Sequence, residues 1–139
     1  MLDLKEFSEA IDGALMNGSP CILATVDAQG RPNLGFKGSM MVLDSEHLAY
    51  WERSRGQHLA NLRVQPQVAV QYFNRDQGLY LHFHGEAELH ETGPVREQVL
   101  ARVIQPELDR DPERRGVAVV IRVHTVADVF KQRRLTRSA

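Results

Sequence analysis

Two short turn segments that end in glycine constrain the fold most, because each stands between two runs that are typical of strands. Residues 27–30 follow the apolar run Cys21–Val26, and residues 75–78 separate Gln67–Asn74 from residues 79–89. Asp and Gly are common turn residues, and apolar or alternating runs on both sides of such a turn predict β-hairpins. The sequence therefore favours strands that follow one another along the chain and pair antiparallel.

Alternation of side chains assigns faces to two of these strands. Successive residues of a strand point to opposite sides of the sheet. In the first strand, Val68, Val70 and Tyr72 are predicted to face one way and Ala69, Gln71 and Phe73 the other. In the second, Leu79, Leu81 and Phe83 are predicted to share one face, and Tyr80, His82 and His84 the opposite face.

The rest of the chain supplies the remaining elements. Strands are predicted at 34–43, 48–51 and 117–129, and helices at 3–17, after Ser54, and between Pro94 and Pro106. Regular alternation of strand and helix is absent, so six strands joined by hairpins indicate a mainly β, antiparallel sheet or barrel with a few flanking helices. The length of 139 residues fits one domain over 1–139.

Composition disfavours several classes of function. A formal net charge of −1, from 17 basic and 18 acidic residues, gives no electrostatic case for nucleic acid. Cys21 stands alone and is expected to be a small buried hydrophobe, with no disulfide or thiolate cluster. No run is apolar for long enough to span a membrane and no signal peptide is visible, so we expect a cytoplasmic protein. The basic tail, with Lys131, Arg133, Arg134 and Arg137, is expected to be solvated and frayed.

The segment 49–67 contains a candidate anion site. Ser54 followed by Gln57 matches a capping box at the start of a helix that ends before Pro66. A helix N-terminus offers free backbone N–H groups, and here Arg53 and Arg55 flank it, so a phosphate could bind there. The alternative is that Ser54 only caps its own helix and the arginines are solvated.

Two further features leave alternatives open. Gly38, between Lys37 and Ser39, interrupts a predicted strand, which indicates either a plain bulge or room for a ligand. His82 and His84 have the spacing of two metal ligands, but no further ligand is specified beyond guesses. We therefore predict no metal site. The guessed partners are His58, His90 and Glu86.

The order of several motifs resembles the pyridoxamine-phosphate-oxidase-like FMN-binding split-barrel family. The motifs are Gly30-x-Pro32, Lys37-Gly38-Ser39, Tyr50-Trp51-Glu52-Arg53-Ser54-Arg55, and Asn61-Leu62 followed by Pro66-x-Val68-x-Val70. They cover the chain from Pro20 to Leu89. The resemblance implies a six-stranded antiparallel split β-barrel that forms a homodimer with FMN at the interface.

The resemblance also implies a set of cofactor-binding residues. The phosphate would be held by Arg53, Ser54 and Arg55 together with the amides of Gly56 and Gln57. The flavin ring would lie along two strands, near Lys37, Gly38, Ser39, Trp51 and Glu52.

His58 departs from the family pattern, because family members often have a lysine at this position. A histidine near the phosphate would be held as imidazolium and would lose its charge as pH rises. The alternative is that His58 packs on the helix face beneath Leu62 and does not meet the phosphate.

The implied function is an FMN-dependent oxidoreductase that transfers hydride through flavin N5 with a small-molecule substrate or electron donor. Alternatives are a flavin carrier without turnover, and a protein of the same fold that binds F420 or haem. Proton donors could be Tyr50, Tyr80, His82 or His84, and the sequence does not choose a catalytic residue among them.

Overall fold

The computed structural model describes residues 1–137, which form one antiparallel sheet with short helices around it. The eight strands are β1 (Cys21–Val26), β2 (Pro32–Lys37), β3 (Met41–Val42), β4 (His47–Glu52), β5 (Gln67–Asn74), β6 (Leu79–His90), β7 (Val117–Asp128) and β8 (Arg133–Thr136). A 3₁₀ turn covers Leu4–Phe7, and the helices are α1 (Ser8–Asp12), α2 (Gln57–Val64), α3 (Pro94–Leu100) and α4 (Gln105–Leu108).

Neighbouring strands follow the order β2-β1-β5-β6-β7-β4-β3, and β8 pairs with β7 beyond the end of β4. Every pairing is antiparallel, and β1–β2 and β5–β6 are the two hairpins expected from the glycine-containing turns. The prediction of a mainly β, antiparallel fold with a few helices is confirmed.

The main core lies on the inner side of the sheet. Leu23, Val70, Phe83 and Ile121 come from four different strands and are almost completely buried. Phe7 packs edge-on against Phe83, with ring centroids 5.8 Å apart, so the N-terminal segment closes one end of this core. The faces predicted for β5 and β6 are confirmed. Apolar burial of this extent is the main stabilising term of such a domain.

The outer side of the sheet is covered over only part of its width. Val99 on α3 and Val103 just after it pack with Trp51 and Val120 over the outer face of β4 and β7. The outer face of β2, β1, β5 and β6 lacks such a cover in the described chain. Leu34 and Phe36 project from it with 69% of their surfaces exposed.

Two strands were not anticipated. The predicted strand 34–43 is divided into β2 and β3, because Gly38 and Ser39 form a turn in which the Met40 N–H donates to the Lys37 carbonyl at 3.3 Å. The tail is not frayed as predicted, since Arg133–Thr136 forms β8. There Arg133 pairs with Asp128 at 3.0 Å and also with Glu6. The described part of the chain therefore has eight strands where six were predicted.

Two predicted helices also end differently. The helix expected over 3–17 is a 3₁₀ turn, with Asp3 as its N-cap, followed by α1, which ends at Asp12. The helix expected to reach Pro106 ends at Leu100, and Pro106 lies in the first turn of α4. Among residues 1–137, no helix combines the length and apolar character needed to cross a membrane.

Gly85 lies where the register of β6 against β7 shifts, and we expect glycine to be required there because the two strands approach each other closely. A Cβ at this position would overlap the Arg122 backbone oxygen, which a flexible side chain cannot relieve. Gly85→Ala should lower the free energy of unfolding by about 2 kcal/mol or more, measured by urea denaturation. Glu88→Ala, on the exposed side of the same strand, is the control and should change it by less than about 0.5 kcal/mol. Equal effects would contradict this role for Gly85.

Candidate functional site

The candidate anion site lies where β4 passes into α2. β4 ends at Glu52 and α2 begins at Gln57, so residues 53–56 form the connection. Gly56 is the N-cap and has no side chain with which to cap the helix. The prediction that Ser54 caps α2 is therefore wrong. Its hydroxyl instead donates to Glu52 Oε2, two residues earlier in the chain, at 2.9 Å.

Glu52 is the centre of a buried polar cluster. Only 1% of its side chain is exposed, yet it accepts hydrogen bonds from Lys37 Nζ at 2.9 and 3.1 Å. The Ser54 N–H is 3.4 Å from Oε2, and the Ser54 hydroxyl also donates to this atom. Lys37 comes from β2, so the cluster joins two strands that are not neighbours in the sheet. A buried carboxylate needs such partners, since an unpaired charge in the interior is strongly unfavourable.

Tyr50 lies beside this ion pair and is fully buried. The Lys37 ammonium is 5.5 Å from the centre of its ring, and its hydroxyl has no hydrogen-bond partner among the described residues. Burial, together with the negative charge of Glu52, raises the pKa of Tyr50 well above its ordinary value. The phenol is therefore neutral and out of contact with solvent.

The two arginines of the connection contact acidic or carbonyl groups. Arg53 Nε is 3.6 Å from Glu107 Oε1, and a third of its side chain is exposed. Arg55 has a positive φ of 49° and donates from Nε and an Nη atom to the Arg115 carbonyl at 3.1 and 2.9 Å. It also lies 3.7 Å from Glu91, with half of its side chain exposed. Both guanidinium groups thus remain accessible at the surface.

His58 belongs to a second polar network under the first turn of α2. Its Nδ1 is 2.7 Å from the hydroxyl of Thr25, which is buried in β1. Asn61 donates to the same hydroxyl at 2.9 Å and accepts from Gln57 at 2.6 Å. The ring also presses against β2, where a Cβ on Gly35 would lie 2.7 Å from Nε2. Glycine at position 35 therefore makes room for this imidazole.

The surroundings of His58 disfavour its charged form. Burial and the positive charge of Lys37 lower its pKa, and these effects outweigh the opposing influence of Glu52 and a backbone hydrogen bond at Leu34. The neutral form of the imidazole is therefore favoured. It therefore differs from the always-charged lysine that the family pattern leads one to expect.

The remaining predicted residues are Gly38 and Ser39, in the turn after β2, and Trp51 in β4. The Ser39 hydroxyl accepts from the Trp51 N–H at 2.9 Å and donates to the Trp51 carbonyl at 3.3 Å. The Trp51 indole lies on the opposite, helix-covered face and donates to Asp111 at 2.8 Å. Gly38 faces Leu15 and Glu107, each 3.1 Å from where a Cβ would be. The structure therefore brings Lys37, Glu52 and Ser54 together and directs the Trp51 side chain away from them.

Sequence reasoning missed Thr25 as a member of the site. Alternation within β1 could have found it, because Cys21 and Leu23 face the core and Thr25 continues the same face. A hydroxyl at a core position needs partners, which here are His58 and Asn61.

The other predicted or excluded groups are separate from this cluster. Cys21 is buried, and burial raises the pKa of its thiol to about 12, as expected for a small hydrophobe. His82 Nε2 is 2.9 Å from Gln71, and its neighbour His84 is exposed. Residues 1–137 contain no cluster of three or more potential metal ligands.

Comparison with known proteins places these features in a family context. The family model described as pyridoxamine 5'-phosphate oxidase matches residues 7–130. No curated protein matches the chain in sequence.

Solved structures share the fold over most of the chain. A candidate pyridoxamine 5'-phosphate oxidase from Lactobacillus delbrueckii is 30% identical, with 83% of this chain and 88% of that chain covered and a TM-score of 0.66. HupZ from Group A Streptococcus is 24% identical over 96% and 98% of the two chains, with a TM-score of 0.74. An FMN-binding protein from Syntrophomonas wolfei is 13% identical over 97% and 90%, with a TM-score of 0.66.

We predict that His58 titrates below its ordinary value of about 6.5. Lys37→Met should raise this pKa, because it removes a positive charge and leaves Glu52 in place. Proton NMR of the imidazole checks both statements, with His58→Gln to assign the signal.

Stability provides a second measurement of the same pKa. A lowered pKa in the folded state means that the unfolded chain binds more protons, so stability is lost as pH falls through about 6.5. His58→Gln should reduce that loss relative to the wild type. A pKa of 6.5 or above in the folded wild type would contradict the prediction.

Proposed function

The chain belongs to the pyridoxamine 5'-phosphate oxidase family, and from this membership we propose that it binds FMN and acts as an FMN-dependent oxidoreductase. One observation carries the proposal: the accessible pair Arg53 and Arg55 next to the first turn of α2, which no side chain caps. Guanidinium groups and the free amides of a helix N-terminus are the donors that suit a phosphate.

The chemistry of this donor set fits the phosphate end of FMN. The Arg53 contact of 3.6 Å is long, and Arg55 is bonded to a neutral carbonyl, so both retain N–H groups for an anion. The amides of Gly56 and Gln57 would complete the set. His58, held by Thr25, would then position the first turn of α2 without adding charge.

The ring end would be shaped by the turn between β2 and β3. Lys37, Gly38 and Ser39 would present main-chain groups to the flavin. Ser39 holds this turn against β4 through its two bonds to Trp51. When bound, FMN would supply the hydride-transfer chemistry, through N5, that protein side chains lack.

We further propose that two copies pair through the uncovered outer face of β2, β1, β5 and β6, with the cofactor between them. Leu34, Phe36 and Phe73 expose apolar surface there, and a patch of this kind is typical of an interaction site. This face also carries His82 and His84, which are better placed than the buried Tyr50 to donate a proton to a small-molecule substrate.

Two measurements separate this function from the alternatives. The absorbance spectrum of freshly purified protein distinguishes FMN from F420 and from haem. Anaerobic loss of absorbance at about 450 nm on addition of NAD(P)H or an organic donor would distinguish an oxidoreductase from a flavin carrier.

Arg53→Ala/Arg55→Ala should weaken FMN binding at least about tenfold, because each charge-assisted hydrogen bond contributes roughly 1.5–3 kcal/mol. Riboflavin lacks the phosphate, so its affinity should change much less. Fluorescence titration of both flavins provides the measurement. Arg75→Ala/Arg134→Ala, which removes the same charge elsewhere, is the matched control. Equal losses for the two flavins would show that these arginines do not hold the phosphate.

Leu34→Lys/Phe36→Lys should convert a dimer into a monomer and abolish tight flavin binding, because two charges would be buried at the interface. Light scattering at micromolar concentration measures the mass. Val64→Lys, at an exposed apolar position on α2, should leave the dimer intact. A wild-type monomer would rule out this part of the proposal.

A further inference from the structure

An internal carboxylate already occupies part of the donor set that a cofactor phosphate would use. Both carboxylate oxygens of Glu52 accept hydrogen bonds from Lys37 Nζ, and Oε2 also accepts one from the Ser54 hydroxyl. The resemblance assigns Ser54 to the phosphate and Lys37 to the neighbouring ring. In this chain, both are bonded to Glu52 instead.

Three cations of the site face carboxylates, one of which, Glu91, also pairs with Arg63 at 2.8 Å. Lys37 faces Glu52 at 2.9 Å, and the two arginines face carboxylates at longer distances. Arg53 is 3.6 Å from Glu107 and Arg55 is 3.7 Å from Glu91. The Lys37–Glu52 contact is both the shortest and the most buried of the three. A phosphate dianion would therefore gain little from Lys37 while Glu52 remains charged.

We propose that Glu52 is a specificity-determining residue: its carboxylate holds the Ser54 hydroxyl that would otherwise donate to the cofactor phosphate, it neutralises Lys37 beside the flavin ring, and it thereby lowers the preference for FMN over riboflavin. This rests on the proposed FMN-binding function. Arg53, Arg55 and the first turn of α2 then hold the phosphate, while Glu52 opposes any approach of negative charge toward β2. A purely structural Glu52 would affect both flavins alike.

Glu52→Gln tests the proposal directly. The amide can still accept from Lys37 or Ser54, but the negative charge is gone and Lys37 becomes an uncompensated cation. FMN should bind about tenfold more tightly, because the substitution removes the repulsion between the buried Glu52 carboxylate and the phosphate, which acts through a low effective dielectric constant. Riboflavin affinity should change less than about twofold. Isothermal titration with each flavin gives the ratio of the two dissociation constants, and Glu88→Gln controls for the general change in charge.

Ser54→Ala provides a second test that does not disturb the ion pair. In the wild-type background it should change FMN affinity less than about twofold, because the hydroxyl is bonded to Glu52. In the Glu52→Gln background the same substitution should weaken FMN about fivefold or more, since the hydroxyl is then free for the phosphate. The effect of Ser54→Ala should depend on residue 52 in this way only if the Glu52 carboxylate and the FMN phosphate compete for the Ser54 hydroxyl.

The outcomes are distinct. An unchanged FMN-to-riboflavin ratio in folded Glu52→Gln protein overturns the role of Glu52 and leaves the proposed function standing. If Glu52→Gln does not fold, a loss of fivefold or more in Ser54→Ala alone overturns it, and an unchanged affinity supports it. Absence of binding of either flavin to the wild type overturns the proposed function and this inference together.

Discussion

The ion pair between Lys37 and Glu52 joins strands that lie far apart in the order of the sheet. β2 is at one edge and β4 is next to the other, so no backbone ladder connects them. The pair is almost completely buried, with 13% of the lysine side chain and 1% of the glutamate exposed. Removing one partner of such a pair typically costs about 3–5 kcal/mol, because the other charge remains buried. The Ser54 hydroxyl donates to the same carboxylate, so the connection from β4 to α2 is attached to this pair.

Local patterns were sufficient to predict most of the fold. The turn at 75–78 and the faces of Val70 and Phe83 follow from turn chemistry and from alternation, which act over a few residues. β8 could not be found in this way, because its sequence has a single apolar residue, Leu135. Its stabilising contacts, from Arg133 to Asp128 and Glu6, lie far from it in sequence or across a turn.

The candidate site was predicted as a region but not as an arrangement. The sequence placed Ser54 at the helix start, yet it could not decide whether its hydroxyl would cap α2 or bond the carboxylate of Glu52. The environment of His58 could not be predicted from the sequence either, since it depends on Thr25 and Gly35 from two other strands. Both outcomes depend on partners from other strands, Lys37 for Glu52 and Thr25 and Gly35 for His58, and a motif in one segment of the sequence does not specify those partners.

Alternation along β4 connects the site to both layers of the protein. Glu52 points inward to Lys37, whereas Trp51 points outward and donates to Asp111. Asp111 also accepts the backbone N–H of Arg115 at 3.0 Å, and the Arg115 carbonyl in turn accepts the Arg55 guanidinium. One side of the candidate anion site is therefore fixed through the sheet interior and the other through the loop beside α4. The contacts to Lys37 begin at Glu52, and those that lead through Asp111 and Arg115 to Arg55 begin at Trp51. Because Trp51 and Glu52 are adjacent in β4, a shift of this strand would displace the Glu52 carboxylate and the Arg55 guanidinium together.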